Sequence, residues 1–284
     1  MKPGWLLLAL AACSTAKPTP PVDAVLQRED HAARASYSLE RPAEAAASFR
    51  AALARARMRD DLPAIADSGY NLTVAELRAG DAAAALRDAR ALRAELARAG
   101  YGDLPALDLV EATAAYRLGD SDQADQVAAA VQACSDRDAA AQAVFLRGLI
   151  ADERGDLQGL QQESARLAHS GPPGDATELA ARVHLRAGDA TGARALALQA
   201  VDQRRMAQDY RGLARALALA AEAAGREGND GMAADLFLRA GRSAGAQGDM
   251  RQARTWLAAA RSLGQDAMLR AAIAQAEADI QAPK

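Results

Sequence analysis

Aromatic side chains are scarce, only 4% of 284 residues, although 50% of the chain is hydrophobic. A core built on large rings is thereby excluded. The apolar mass is mostly alanine and leucine, both good helix formers, and alanine lets helix axes approach closely. Histidine occurs three times, at His31, His169 and His184, with no i, i+4 pair, and the only cysteines are Cys13 and Cys134. Zinc-type sites and a disulfide framework therefore have no support, and no metal ligand is expected. No P-loop-type phosphate cradle is present, so no cofactor is expected either. The formal net charge is only −3 with the two signs interspersed. Without a basic stripe beside stacking aromatics, nucleic acid is not an expected partner. Alternating strand patterns are missing throughout, and the reading is all-α.

What is there begins at the N-terminus. Lys2 supplies one positive charge, and an apolar run from Gly4 to Ala12 stops at Cys13. Such a run falls short of the roughly 20 apolar residues that span a bilayer as a helix, and it suits a signal segment. Leu10-Ala11-Ala12-Cys13 resembles the lipobox of bacterial lipoproteins. The resemblance implies a signal peptide over residues 1–12 and a lipid-modified Cys13 as the new N-terminus. Residues 13–21 then form a proline-rich tether. In polyproline geometry, at roughly 3.1 Å per residue, it would hold the folded part about 25 Å from the membrane. Ser14 after the cysteine implies, by the same resemblance, the outer membrane of a Gram-negative bacterium, with the chain facing the periplasm.

From Val22 onward the sequence reads as about fourteen helices joined by tight turns. Glu40-Arg41, Gly80-Asp81, Gly119-Asp120, Gly155-Asp156, Gly188-Asp189 and Gly228-Asn229 mark those turns. Glycine ends one helix in the left-handed conformation, and aspartate or asparagine caps the next. Small residues recur in register around them. Ala33, Thr73, Ala112, Gly148, Ala181 and Ala221 stand seven positions before; Ala45, Ala85, Ala124, Leu160, Ala193 and Ala233 stand five after. Apolar Ala52, Leu92, Val131, Leu167, Ala200 and Ala240 stand twelve after. The pattern resembles the tetratricopeptide-repeat family, in a degenerate or Sel1-like form. It implies a right-handed α-solenoid of antiparallel helix pairs, six to seven repeats over residues 22–245, with a last pair or cap over 246–284. Turn spacings of 40, 39, 36, 33 and 40 depart from the family period of about 34. Gly248-Asp249 repeats the turn motif only twenty residues after Gly228, which leaves the register open there.

Two motifs point toward catalysis and are set aside. Gly241-Arg242-Ser243-Ala244-Gly245 fits a hydrolase nucleophile elbow, but the preceding segment reads as helix and every histidine precedes Ser243. Glu163-Ser164 opens like a lytic transglycosylase motif without its continuation, and reads as part of an exposed amphipathic helix. No catalytic residue is expected. Cys134 reads as a small apolar residue in a helix interface.

In tetratricopeptide proteins the first helix of each pair lines the concave face. The resemblance therefore implies a partner-binding groove formed by Arg34, Tyr37, Tyr70, Asn71, Arg78, Leu109, Tyr116, Arg117, Phe145, Leu149, Arg182 and Arg186. Glu178, Glu222 and Arg226 add polar groups in the later repeats. Asp30 and Arg34 stand where the chaperone-binding subset carries its carboxylate clamp, so that specialised role is not implied. The expected function is an adaptor or scaffold for other envelope proteins or extended peptides, serving pilus, outer-membrane protein or peptidoglycan machinery. The alternatives are a divergent cell-wall-active enzyme or hydrolase, and a small-ligand-binding module, which an open groove disfavours.

Overall fold

The computed structural model describes residues 22–102 and 104–281. Cys13, the segment 1–12 and the tether lie outside the described residues. Fourteen α-helices account for almost all of what is described, with no strand. They are α1 (Ala24–Ser38), α2 (Pro42–Met58), α3 (Leu62–Ala79), α4 (Ala82–Arg98), α5 (Pro105–Arg117), α6 (Ser121–Gln132) and α7 (Arg137–Arg154) in the first half. The second half holds α8 (Leu157–Ser170), α9 (Pro173–Arg186), α10 (Ala190–Met206), α11 (Tyr210–Arg226), α12 (Asp230–Ala246), α13 (Met250–Leu263) and α14 (Ala267–Gln281).

The helix boundaries follow from local chemistry. Asp61, Asp81, Asp120, Asp156, Asp189, Asp209, Asn229 and Asp249 each accept a hydrogen bond from the backbone N–H three residues on, the ordinary N-cap. Proline occupies the first turn of α2, α3, α5 and α9, where no N–H is needed. Left-handed residues end the helices at positions 40, 60, 80, 100, 119 and 155, and again at 188, 208, 228 and 248. Glu40, Asp60 and Gln208 hold that conformation without being glycine.

This spacing settles the register. Across most of the array the helices come every twenty residues, so the pair repeats about every forty. The turns at Asp60, Gln208 and Gly248 join successive pairs, whereas those at Gly80, Gly188 and Gly228 lie within a pair. A 17-residue helix is about 25 Å long. That is longer than a 34-residue pair can accommodate, and it is why the period exceeds the family's.

Each helix packs on its chain neighbours, and the first helices of successive pairs also touch: α3 with α5, α5 with α7, α7 with α9 and α9 with α11. They form the inner layer. The small residues seven before and five after the turns are buried as expected; Ala33, Ala45, Ala85, Ala112, Ala124, Ala181, Ala193, Ala221 and Ala233 are all fully enclosed. At Gly148 the fit is tighter still. A Cβ there would stand 2.5 Å from Leu179 Cδ1, so a larger residue would have to displace the buried Leu179 side chain between α7 and α9.

Carboxylates are buried between layers where arginines meet them. Glu76 on α3 pairs with Arg50 on α2 at 2.7 Å. Glu111 on α5 pairs with Arg90 and Arg93 on α4 at 2.9 and 2.6 Å. Glu163 corrects the sequence expectation of an exposed face: it is buried, bonded to Arg147 and Arg166, both at 3.0 Å. Cys134 lies in the α6–α7 turn, half-buried against the apolar core that α5, α6 and α7 share, its Sγ 3.4 Å from the Asp136 carbonyl.

Glu76 gives a pH prediction. Burial and the neighbouring Asp88 push its carboxyl from 4.5 up to about 7 despite Arg50. The folded state therefore binds this proton more tightly than the unfolded chain, and stability rises as pH falls from about 7 toward 4.5. Urea midpoints measured across this window are expected to increase on acidification, and Glu76→Gln is expected to flatten the increase. An unchanged slope in the variant would contradict the assignment.

Candidate functional site

The array curls far enough for its two halves to meet. Arg211, at the start of α11, donates a hydrogen bond to the carbonyl of Arg78 at the end of α3. Tyr37, Glu40 and Arg78 from the first pairs and Gln208, Tyr210 and Arg211 from the sixth line one cleft of about 240 Å³ at that meeting point.

Inside the curl runs a larger groove. One part, about 860 Å³, is lined by Leu109, Thr113, Tyr116, Phe145, Leu149 and Met206 among others. A second, about 300 Å³, continues it; Tyr116, Arg117, Leu149 and Arg215 belong to both. Along α7 the lining extends from Gln142 to Glu153, about 16 Å at 1.5 Å per residue. An extended chain rising about 3.3 Å per residue would lay roughly five residues along it.

The floor is electrostatically fixed. Two guanidinium groups stand over the Phe145 ring, Arg204 at 5.5 Å and Arg215 at 4.9 Å from its centre. Beneath them Glu178, fully buried on α9, binds Arg204 at 2.6 Å, Arg215 at 2.6 Å and Arg182 at 3.1 Å. Burial by itself would raise the pKa of Glu178, but Arg215, Arg182 and Arg204 together hold it down to about 2. Tyr116 donates to Glu153 at 2.5 Å, and burial followed by that bond pushes the phenol pKa up.

The inner arginines also tie the repeats together. Arg117 donates to the Leu77 carbonyl at 2.5 Å, Arg186 to the Asp152 carbonyl at 2.7 Å and Arg226 to the Leu185 carbonyl at 2.9 Å. Each satisfies a carbonyl in the last turn of the preceding pair's first helix, where intrahelical partners run out. Arg78, first in this series, stacks on Tyr37 at 4.7 Å instead.

The residues expected to face a partner thus divide. Leu109, Tyr116, Arg117, Phe145 and Leu149 come together in the main groove, and Tyr37 and Arg78 line the closing cleft. Arg34 is held by Asp30 and Asp67 at 2.9 and 2.8 Å, tying α1 to α3, and lines none of these clefts. Tyr70 packs half-buried against the N-terminal core, and Asn71 bonds Asp67 one turn back. Arg182 and Arg186 are spent on Asp152 at 2.6 and 2.5 Å. The sequence reading missed Arg204, Arg211, Arg215, Arg251 and Trp256. Arg211 and Arg215 share a face of α11 with Glu222 and Arg226, so stepping backward by helical spacing would have found them.

Neither motif set aside earlier forms a nucleophile elbow. Gly241–Gly245 lies within α12, and Gln247 donates to the Ser243 hydroxyl at 3.1 Å.

No family model and no curated protein matches the sequence. Solved structures match in fold. A tetratricopeptide repeat protein from Parabacteroides merdae is 15% identical, with 91% of this chain and 99% of that one covered and a TM-score of 0.53. The TPR2AB domain of yeast Sti1, in a complex with pHSP90, is 13% identical over 90% of this chain and 98% of that one, with a TM-score of 0.36. The C-terminal part of a TPR repeat-containing protein from Cytophaga hutchinsonii is 11% identical over 84% and 97%, with a TM-score of 0.42. The Parabacteroides likeness is one of fold: this chain has a tetratricopeptide-repeat fold, an α-solenoid of antiparallel helix pairs.

Proposed function

We propose that the protein is an adaptor that holds an extended segment of a partner protein in the groove enclosed by α5, α7 and α11. The observation that carries this reading is the continuity of the two inner clefts along α5 and α7, with aromatic, apolar and arginine side chains in one line. Those residue types dominate interface energetics, and a central aromatic anchor contributes about 2 kcal/mol or more. The lipobox-like Leu10–Cys13 supports the further reading that the adaptor is lipid-anchored at the outer membrane, faces the periplasm and serves the assembly of the cell envelope.

A photo-crosslinking residue at Phe145 is expected to capture a defined partner in cells, and one at exposed Arg98 to capture none. Phe145→Ala is expected to weaken that partner by about tenfold or more. Capture from Arg98 alone would move the binding face elsewhere. Cys13→Ser is expected to shift the protein out of the membrane fraction, and its retention there would contradict the anchor.

The closure of the array also favours a second reading. A cleft of about 860 Å³ falls within the roughly 300–1,000 Å³ typical of small-ligand pockets. Native mass spectrometry distinguishes the two: a co-purifying small molecule lost on Phe145→Ala would favour the pocket.

A further inference from the structure

One end of the inner groove carries more positive charge than the fold explains. Arg117 on α5, Arg211 and Arg215 on α11, and Arg251 on α13 line the same cleft. Two carboxylates line it with them, and each has another task. Glu153 accepts from Tyr116, and Asp249 caps α13 by accepting from the Gln252 N–H at 3.2 Å. Arg215 is held by Glu178 at its rear, while Arg117 and Arg211 donate to carbonyls, which carry no net charge. Arg251 is exposed and has no ion pair among the described residues. The repulsion is felt within the cluster: burial, then the charge of Arg211 and, against the pull of Asp249, those of Arg215 and Arg251, bring the Arg117 pKa down from 12.5 to about 10.

Helix physics opposes two of these arginines. Arg211 and Arg251 are each the second residue of a helix, one repeat apart. A cation there adds to the positive end of the helix dipole instead of offsetting it. Neither side chain forms a salt bridge among the described residues, although Asp249 and Asp209 attract Arg211 from a distance.

We infer that this end of the groove binds the carboxylates of an acidic partner segment, whose adjoining apolar residues lie along Phe145 and Leu149. The occupant is thus an extended peptide with an apolar stretch next to one or two Asp or Glu residues. Charge complementarity sets its acidic end toward Arg211 and Arg251, and the apolar lining of the larger cleft sets the other end. The inference rests on the adaptor reading and narrows it to one class of partner sequence.

Selection of a random decapeptide display library on the full chain tests it. Enriched peptides are expected to combine apolar residues with Asp or Glu. In anisotropy titrations of one such peptide, replacing its acids by Gln is expected to weaken binding by about tenfold or more. Arg251→Glu is expected to weaken the acidic peptide equally and to leave the Gln version unchanged. The same substitution is expected to raise the melting temperature of the free chain, since it relieves the cluster and suits the helix end. A merely structural Arg251 would lower it. Enriched peptides without acids, or acidic peptides indifferent to Arg251→Glu, would overturn the inference and leave the adaptor reading standing. Enrichment of nothing would sink both.

Discussion

Glu178→Ala is expected to destabilise the chain by about 3–5 kcal/mol, the usual consequence of removing one partner from a buried ion cluster. Glu178 is fully buried and is the common partner of Arg182, Arg204 and Arg215. Without it, Arg204 keeps Asp175 at 2.7 Å and Asp209 at 2.5 Å, and Arg182 keeps Asp152. Arg215 keeps only the face of Phe145. The desolvation of Arg215 then lacks a compensating charge, and Arg182 and Arg204 each lose part of theirs. Because α9, α10 and α11 meet at this carboxylate, the loss is expected as a lower urea midpoint and as loosening of the groove floor. Its pH dependence has the opposite sign to that of Glu76. A carboxyl depressed from 4.5 to about 2 contributes stability above 4.5 that is lost as pH falls toward 2. A midpoint unchanged by Glu178→Ala would mean that the cluster is not the junction described.

Ala85→Glu tests the helix register with an effect of similar size. Ala85 is fully enclosed on α4 within the N-terminal core. A glutamate there must bury an unpaired carboxylate, at several kcal/mol, and force apart a close-packed contact, at about 1–3 kcal/mol more. Two residues earlier, Ala83 is exposed in the first turn of α4. A negative charge at that point favours the helix dipole by a few tenths of a kcal/mol. The pair of variants is therefore expected to diverge in thermal melting, Ala85→Glu falling sharply and Ala83→Glu holding or rising. Equal melting of the two would place α4 in a different register.

The local part of this architecture is written in the sequence because it is local chemistry. Gly80-Asp81 or Gly188-Asp189 needs no distant partner to end one helix and cap the next. The enclosed alanines repeat at fixed offsets from those turns. Asp60-Asp61 and Gln208-Asp209 are less legible: a non-glycine residue carries the left-handed conformation there, as it does at Glu40, although the aspartate cap is the same as at the glycine turns. The groove was only partly legible. Apolar Leu109, Phe145 and Leu149 follow from the resemblance, which turns the first helix of each pair toward the concave face. Arg117 and Arg186, expected as partner contacts, also carry a repeat signature: Arg-x-Gly-Asp recurs at both turns, and each arginine bonds the preceding repeat. Recurrence with the repeat is the sign of that added scaffold role. The curl itself is not local. It accumulates small rotations over successive pairs, and it brings Arg211 to Arg78 across 133 residues.

That curl is the claim on which the groove depends, and a cross-link between its two ends measures it. Glu40 and Gln208 are exposed and line the same closing cleft. With Cys13 and Cys134 replaced by serine, a chain carrying Glu40→Cys and Gln208→Cys is expected to form an intramolecular bis-maleimide bridge at high dilution. A chain that stays unbridged, or that links only to other copies, would show an open array in which no enclosed groove exists.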